Sequence, residues 1–371
     1  MKKNNAALHG YSPLPICDSH VHQKFQLPLE TTVQVFDEMM DHFNLSHIQL
    51  CSMPCYDRTD NYRAFYLKSL RSPKIYVAVG LDHHYDERDT AEYYLQEIKR
   101  YHAMGADSVK MLEGKMFVHR KLGKKLCDPV FDLFYAYCEE HQIPITLHLG
   151  DPIENWDLSK MNEYAIRKGW YCGPEDPTRE ELRQEVYNVL DKFPRLPLVF
   201  AHFNFMGDDL DRAAELMEKY PNICFDLTPG GDMFIGFTQN WEKARAFFIK
   251  YQDRILYGTD SYNFPPADCS PEEGNNALRT NLVRTFLEGN EIFTETTKKY
   301  PFKPFGFEGE ILDKLYRENF FRLYGKHPHP LDKSAIPEGA RALLADGKDL
   351  DDLMQENLQK VIDHFEKTAD A

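Results

Sequence analysis

The chain has 371 residues, a formal net charge of -15, 42% hydrophobic residues and 28% charged residues. These values are typical of a soluble globular protein with one large α/β domain or two ordinary ones, and the acidic balance disfavours nucleic acid and anionic membranes as partners. No apolar run is long enough to span a bilayer, and no apolar segment of a secretion signal follows the basic start. The eight cysteines are scattered, several of them in apolar runs, which predicts reduced thiols in a cytoplasmic protein.

Short apolar runs alternate with amphipathic helical patterns along most of the chain. The predicted strands are residues 14–20, 47–52, 75–81, 108–112, 143–149, 197–201, 223–227 and 255–258. Helical spacing of apolar residues predicts helices from about residue 30, over 90–105, 129–141, from 178, over 208–220, 241–251, 278–287 and 308–324. Thr178 with Glu181 fits a capping box, and Gly105 fits a helix C-cap.

This alternation suits either a doubly wound sheet or a closed barrel of parallel strands. No G-x-G-x-x-G follows the first strand, which argues against a dinucleotide-binding fold. We therefore predict an α/β fold, a (β/α)8 TIM barrel over residues 8–330, followed by a C-terminal helical extension over residues 331–371.

Two segments fall outside the alternation. Residues 150–177 form an insertion with Trp156, Trp170 and several prolines, and insertions of this length are commonly lids or binding loops. The tail from Lys333 carries an apolar helical face, which we expect to pack on the barrel or on a second copy in a homo-oligomer.

The stretch Asp18-Ser19-His20-Val21-His22 follows the first apolar run. On a strand, His20 and His22 share one face, and two neighbouring imidazoles can bind one divalent metal. Two exposed histidines in a loop are the ordinary alternative for such a short motif.

Polar residues also interrupt or close four other predicted strands. Barrel enzymes place their catalytic groups at the carboxyl ends of strands, so a barrel would bring these residues to one mouth. Each alone has a structural explanation, such as a buried histidine or a turn aspartate. Together with the histidine pair they suit zinc, manganese or iron(II). They are Lys110, His148, His202 and Asp260.

The order His-x-His, Lys, His, His, Asp resembles the amidohydrolase superfamily, over roughly residues 14 to 325. Gly258-Thr259-Asp260-Ser261 resembles it locally, and Leu312 to Gly325 looks like the helix that closes the barrel in the amidohydrolase-related branch, which includes aminocarboxymuconate semialdehyde decarboxylase. The resemblance implies that one metal, zinc or alternatively manganese, is bound by four side chains: His20, His22, His148 and Asp260. It implies that His202 acts as acid, base or electrophile, and that Asp260 takes a proton from the attacking water.

Lys110 leaves a two-metal alternative open. If Lys110 is carboxylated, the resemblance implies that it bridges two metals and that His148 and His202 bind the second one. In the one-metal case, the candidate substrate contacts are Lys110, His83 and Arg120, and the mouth could be lined by Trp170, Tyr171 and Tyr262.

These observations predict a metal-dependent hydrolase that acts on a C–O or C–N bond of a small, carboxylated or cyclic substrate. A metal-dependent, non-oxidative decarboxylase using the same site is the alternative. A barrel that has lost catalysis and serves as a binding module is the third hypothesis, and the complete donor set argues against it.

Overall fold

The computed structural model describes residues 11–23, 27–161, 163–229, 233–262, 276–294 and 300–369. The main sheet consists of β1 (Ile16–His22), β2 (Leu45–Cys51), β3 (Ile75–Val79), β4 (Ser108–Gly114), β5 (Ile145–Leu149), β6 (Leu198–Phe200), β7 (Ile223–Asp226), β8 (Ile255–Leu256) and β9 (Ser261–Tyr262). A separate hairpin pairs β10 (Phe293–Thr294) with β11 (Pro301–Phe302).

Helices follow most of these strands. They are α1 (Leu29–Phe43), α2 (Asp60–Arg71), α3 (Ala91–Met104), α4 (Met116–Leu122), α5 (Asp132–His141), α6 (Glu163–Arg167), α7 (Arg179–Lys192), α8 (Leu210–Lys219), α9 (Met233–Gln239), α10 (Trp241–Lys250), α11 (Asn276–Glu288), α12 (Gly309–Asp313), a π-helical turn (Lys314–Glu318), α13 (Asn319–Tyr324), α14 (Ala335–Asp346) and α15 (Asp352–Ala369).

The nine strands are parallel and run in the order β8-β7-β6-β5-β4-β3-β2-β1-β9. The eighth strand of the barrel is divided: β8, within the predicted range 255–258, pairs with β7, and β9, which lies beyond that range, pairs with β1. Between these two pieces, Ser19 N donates to Tyr257 O at 3.0 Å and Asp260 N donates to His20 O at 2.9 Å. The sheet therefore curves from its last strand back to its first, which is consistent with an α/β TIM barrel.

The hydrophobic core is formed by the strands and by the helices that cover them. The strands are buried along nearly their whole length, as the predicted apolar runs require of a sheet covered on both faces. Phe320 and Tyr324 of α13 pack against Tyr76, Val199 and Leu256 from three different strands, so α13 covers the sheet where a barrel-closing helix is expected.

Several elements differ from the predicted ones. β1 continues to His22, two residues beyond the predicted end of the first strand at His20, and α2 lies in a segment for which no helix was predicted. The tail forms two helices because Gly347 ends α14 in a left-handed conformation (φ 63°). Leu358 and Phe365 of α15 are buried, and α15 packs on α2. The prolines at 265 and 266 lie outside the described residues.

The local signals at two helix ends are confirmed. Thr178 and Glu181 form the capping box of α7, and Gly105 ends α3 in a left-handed conformation. Among the helices of the described ranges, none combines the length and the apolar character that a membrane span needs. The described cysteines are all free thiols.

Candidate metal centre

Three side chains from the two ends of the sheet converge at the carboxyl ends of its strands. His20 and His22 come from β1, and Asp260 comes from the segment that joins β8 to β9. The Nε2 atoms of the two imidazoles are 3.1 Å apart, and Asp260 Oδ1 lies 3.2 Å from His22 Nε2 and 3.8 Å from His20 Nε2. Within the described part of the chain, these three residues are the group of His, Cys, Asp and Glu side chains that can hold a metal ion.

The other ring nitrogen of each histidine determines its tautomer. His20 Nδ1 lies 2.8 Å from Asp226 Oδ2, and His22 Nδ1 lies 2.6 Å from the carbonyl oxygen of Cys51. Both oxygens are acceptors, so both Nδ1 atoms carry hydrogen and both Nε2 atoms present lone pairs. Burial is the largest of the effects that hold the pKa of His20 well below its ordinary value, so its imidazole is neutral.

Two nitrogen lone pairs and a carboxylate oxygen thus face one another in a buried site. Such an arrangement is repulsive without a cation, and it is the donor set that zinc, manganese and iron(II) accept. Histidine ligands of metals usually donate their second N–H to a carboxylate or a carbonyl, as His20 and His22 do here. The residues present therefore fit a divalent metal.

Lys110 of β4 reaches the same point. Its Nζ lies 2.9 Å from His20 Nε2, and the side chain is 2% exposed. Burial lowers the pKa of Lys110, which makes the neutral amine more accessible than at an exposed lysine. Carboxylation of Lys110 requires the neutral amine, so this environment is compatible with the two-metal alternative. That alternative stays a prediction.

His148 and His202 form a second group. His202 Nδ1 lies 3.3 Å from the carbonyl oxygen of Thr228, and its Nε2 lies 3.1 Å from His148 Nδ1. Because Thr228 O is an acceptor, His202 carries hydrogen on Nδ1 and its Nε2 accepts from His148 Nδ1. His148 Nε2 then accepts from Lys115 Nζ at 3.4 Å. The structure thus places His148 in a directed hydrogen-bond chain, outside the group of three.

The insertion over residues 150–177 meets this second group. Lys115 Nζ donates to Asp151 Oδ1 at 2.6 Å and lies 4.6 Å from the centre of the Trp170 ring. Lys115 follows β4 and Asp151 follows β5, so the contact is at the carboxyl ends of the strands. The insertion therefore lies at the end of the sheet that carries the candidate metal centre, as predicted for a lid.

Asp226, at the end of β7, was not among the predicted site residues. Its Oδ2 accepts from His20 Nδ1, and its Oδ1 accepts from the backbone N–H groups of His202 and Thr228 at 2.9 and 3.1 Å. One carboxylate therefore connects both groups. The signal was present in the sequence, because Asp226 closes an apolar run in the same way as His148 and His202 do.

Arg279 of α11 was missed as well, and it holds the outer oxygen of Asp260. Its Nη1 lies 2.6 Å from Asp260 Oδ2, while Oδ1 faces the two histidines. Burial alone would raise the pKa of Asp260, but the Arg279 guanidinium outweighs it and holds that pKa well below its ordinary value. Asp260 is therefore an anion over the whole physiological pH range.

Two predicted substrate contacts, His83 and Arg120, are already bonded to other side chains. His83 is bonded through Nδ1 to Tyr94 Oη (2.8 Å) and through Nε2 to Glu113 Oε1 (2.7 Å). Arg120 donates twice to Asp176 of the insertion, with its Nη2 2.6 Å from Asp176 Oδ2. Tyr262 packs near His22 with 5.4 Å between ring centres, which is the position expected of a mouth-lining side chain. The roles of His83 and Arg120 in substrate binding stay predictions.

Backbone strain is concentrated at the same place. His202 has a φ of 55° and the three residues after it are also left-handed, while Asp260 has a φ of 55°. Non-glycine residues hold this conformation only where their surroundings enforce it, and such residues cluster at functional sites. Here the enforcing contacts include the bond from His202 N to Asp226 and the bond from Asp260 N to His20 O.

A sheet of parallel strands with a histidine-rich group at its carboxyl end defines an enzyme of the α/β-barrel class. More narrowly, the chain belongs to the amidohydrolase family, whose sequence model matches residues 17–325. The resemblance seen in the sequence is thereby confirmed, and members of this family depend on a metal. A comparison with curated protein sequences finds no match.

Solved structures resemble the chain at low sequence identity. They include an uncharacterised TIM-barrel protein from Bordetella bronchiseptica, at 16% identity and a TM-score of 0.53, covering 84% of this chain and 98% of that one. IDCase from Metarhizium anisopliae, in its apo form, is 13% identical with a TM-score of 0.52, covering 84% and 97%. 4-Oxalomesaconate hydratase from Rhodopseudomonas palustris is 14% identical with a TM-score of 0.50, covering 90% and 99%. These likenesses support the TIM-barrel fold.

Proposed function

We propose that the chain is a metal-dependent hydrolase that acts on a C–O or C–N bond of a small, anionic substrate. The observation that carries this proposal is the 3.1 Å separation of two lone-pair-bearing Nε2 atoms beside Asp260 Oδ1. We assign His20, His22 and Asp260 as ligands of one divalent metal, zinc or alternatively manganese. His148 is the proposed fourth ligand, and to bind it has to give up one of its two hydrogen bonds, the one from Nδ1 to His202 or the one that Nε2 accepts from Lys115.

A bound divalent metal supplies Lewis acidity, which polarises a carbonyl group and lowers the pKa of water to about 7. The chain's own proton-transfer group is His202. Its Nε2 is the acceptor end of the bond to His148, and its Nδ1–H is fixed on Thr228 O, so Nε2 is the atom that takes and returns a proton. Asp260 is the weaker base, because Arg279 holds its second oxygen.

Charge supports an anionic substrate. Three cations lie within the site, Lys110, Lys115 and Arg279, and three carboxylates offset them: Asp151, Asp226 and Asp260. Burial raises the pKa of a fourth carboxyl, Asp18, to about 7, which suppresses much of its charge at neutral pH. A divalent metal then makes the site net positive within a protein of net charge -15, which favours a carboxylate over a cation.

The second candidate is a metal-dependent decarboxylase. The observation that favours it is Lys110, whose ammonium lies 2.9 Å from His20 Nε2 and can therefore hold a substrate carboxylate beside the metal ligands. In that reaction the bond between the carboxylate carbon and its neighbouring carbon breaks and CO2 leaves, and His202, protonated from solvent on Nε2, would donate that proton to the neighbouring carbon.

The test is a product analysis with the zinc-loaded and the manganese-loaded protein on a panel of lactones, amides and aromatic acids. Ring opening or amide cleavage that depends on added metal supports the hydrolase, and metal-dependent release of CO2 supports the decarboxylase. Protein that binds neither metal at any ratio contradicts both proposals.

A further inference from the structure

The first turn of α11 follows the carboxyl end of the divided eighth strand. Asn276 and Arg279 are three positions apart on this helix and therefore lie on one face of it. Both contact residues 260–262, the segment that carries the aspartate of the candidate metal centre.

Asn276 holds the backbone of this segment at two points. Its Oδ1 accepts from Tyr262 N at 3.0 Å, and its Nδ2 donates to Tyr262 O at 2.6 Å. One amide side chain thus pairs with both polar groups of one residue, as a neighbouring strand would do. Asn276 is fully buried, so this pairing is shielded from water.

Arg279 holds the side chain of Asp260. Its Nη1 is 2.6 Å from Asp260 Oδ2, and the pair is largely shielded, with side-chain exposures of 21% and 16%. The guanidinium carbon lies 5.9 Å from the centre of the Tyr262 ring, and the Tyr262 ring in turn lies 5.4 Å from the His22 ring. Arg279 therefore contacts one carboxylate oxygen and leaves the other oxygen directed at the histidines.

Asp260 needs such support because its backbone is left-handed, with a φ of 55°. A non-glycine residue in this conformation is strained and keeps it only when several contacts require it. The bond from Asp260 N to His20 O supplies one contact, and α11 supplies others at the Asp260 side chain and at the backbone of Tyr262.

From these contacts we infer that Arg279 and Asn276 are positioning residues for the metal centre, which set the direction of Asp260 Oδ1 toward His20 and His22. The inference rests on the proposed function, since it takes Asp260 as a metal ligand. Arg279 acts on the metal only through Asp260, and its role is separate from any contact with substrate.

The direction in which zinc affinity changes in Arg279→Met distinguishes a positioning role of Arg279 from a purely electrostatic effect of its charge. Arg279→Met removes a positive charge close to the proposed cation, so electrostatics alone would tighten zinc binding. If Arg279 positions Asp260, the same variant binds zinc more weakly, by about 10–100-fold, as is usual when a group that orients a metal ligand is lost. Zinc dissociation constants are measured by competition with a chromophoric chelator, which needs no substrate.

Arg245→Met is the matched control, because Arg245 donates to Phe305 O and lies against Phe307, away from the site. Its zinc affinity is expected to equal that of the wild type. Arg279→Lys keeps a donor for Asp260 Oδ2 and is expected to recover most of the affinity. In the cobalt-substituted protein, the visible spectrum should change in Arg279→Met and stay unchanged in Arg245→Met.

Equal or tighter zinc binding by Arg279→Met overturns the inference. If that variant does not fold, Asn276→Ala carries the test, and unchanged affinity in Asn276→Ala overturns the inference just as clearly. Failure of the wild type to bind zinc is a different result, since it contradicts the proposed function itself.

Discussion

The two halves of the candidate site are built differently. In the half from β1 and the divided eighth strand, three donors face one point, and each has its other polar atom fixed by Asp226, by the Cys51 carbonyl or by Arg279. In the half from β5 and β6, His148 and His202 face each other and continue a hydrogen-bond chain to Lys115. The first half therefore has the arrangement of a cation-binding site, whereas the second half is a chain of hydrogen bonds.

Histidines of similar burial at the carboxyl ends of one sheet therefore need not share a role. His22 and His202 are 3% and 6% exposed. The Nε2 atom of His22 nevertheless faces another potential metal ligand, His20 Nε2, whereas the Nε2 atom of His202 accepts a hydrogen bond from His148. The two histidines differ in the hydrogen-bond partner of Nδ1 and in the groups that Nε2 faces.

Loss of a donor from the first half should have the largest effect. His22→Ala should abolish stoichiometric zinc binding and all activity, because it removes one of two facing nitrogen ligands. Metal content after dialysis against zinc is the measurement. His141→Ala, at an exposed histidine, is the control and should keep its metal. One zinc retained by His22→Ala would show that the ligands lie elsewhere.

Loss of the imidazole from the second half should separate metal binding from turnover. His202→Ala should keep one zinc and lower kcat by about 10²–10⁴-fold, the range for removal of a general acid or base. Metal content and kcat are measured on the same preparation. Loss of metal in this variant would instead favour the two-metal site in which His202 is a ligand.

Asp226→Asn tests the carboxylate that connects the halves. The amide oxygen can still accept from the His202 and Thr228 backbones, so its NH2 group faces His20 Nδ1. His20 must then move its proton to Nε2, which blocks the lone pair that faces the metal. Zinc affinity should fall by about 10–100-fold. Asp253→Asn, on the surface, is the control, and equal affinities in the two variants would remove this role from Asp226.

The smallest effect concerns pH. Burial, helped by the Lys115 ammonium, lowers the pKa of His148 to about 4, whereas an unfolded histidine has a pKa of about 6.5. Between these values the unfolded chain binds more protons, so stability falls as the pH drops from about 6.5 to about 4. In metal-free protein, His148→Gln should flatten this fall in Tm by about 2–4 °C. An identical slope in both proteins would contradict neutral burial of His148.

Much of the fold could be predicted because parallel strands buried on both faces leave a strong pattern. The runs that became β2, β4 and β5 are recognisable from Ile48, Val109 and Ile145 and their apolar neighbours. The division of the eighth strand could not be predicted, because it depends on β1 bonding to residues 257–262. The helix α2 was missed although Tyr62, Phe65 and Tyr66 have helical spacing, and its apolar face is less distinct because it also buries charged residues such as Arg63 and Lys68.

The candidate site was predictable to the extent that its residues close apolar runs. That signal identified His20, His22 and Asp260, and it was equally present at Asp226, where it was not used. Arg279 had no such signal, because its partner Asp260 is 19 positions away and the two residues meet only through the packing of α11. The orientation of His148 depends on Lys115 and Asp151, and spacing along the chain carries no information on the direction of an imidazole.

The most direct test of the account is anomalous diffraction at the zinc absorption edge from crystals of the zinc-loaded protein. The account predicts one strong peak, about 2.0–2.2 Å from the Nε2 atoms of His20 and His22 and from Asp260 Oδ1. Absence of a peak there, or a peak bound by other residues, would contradict it.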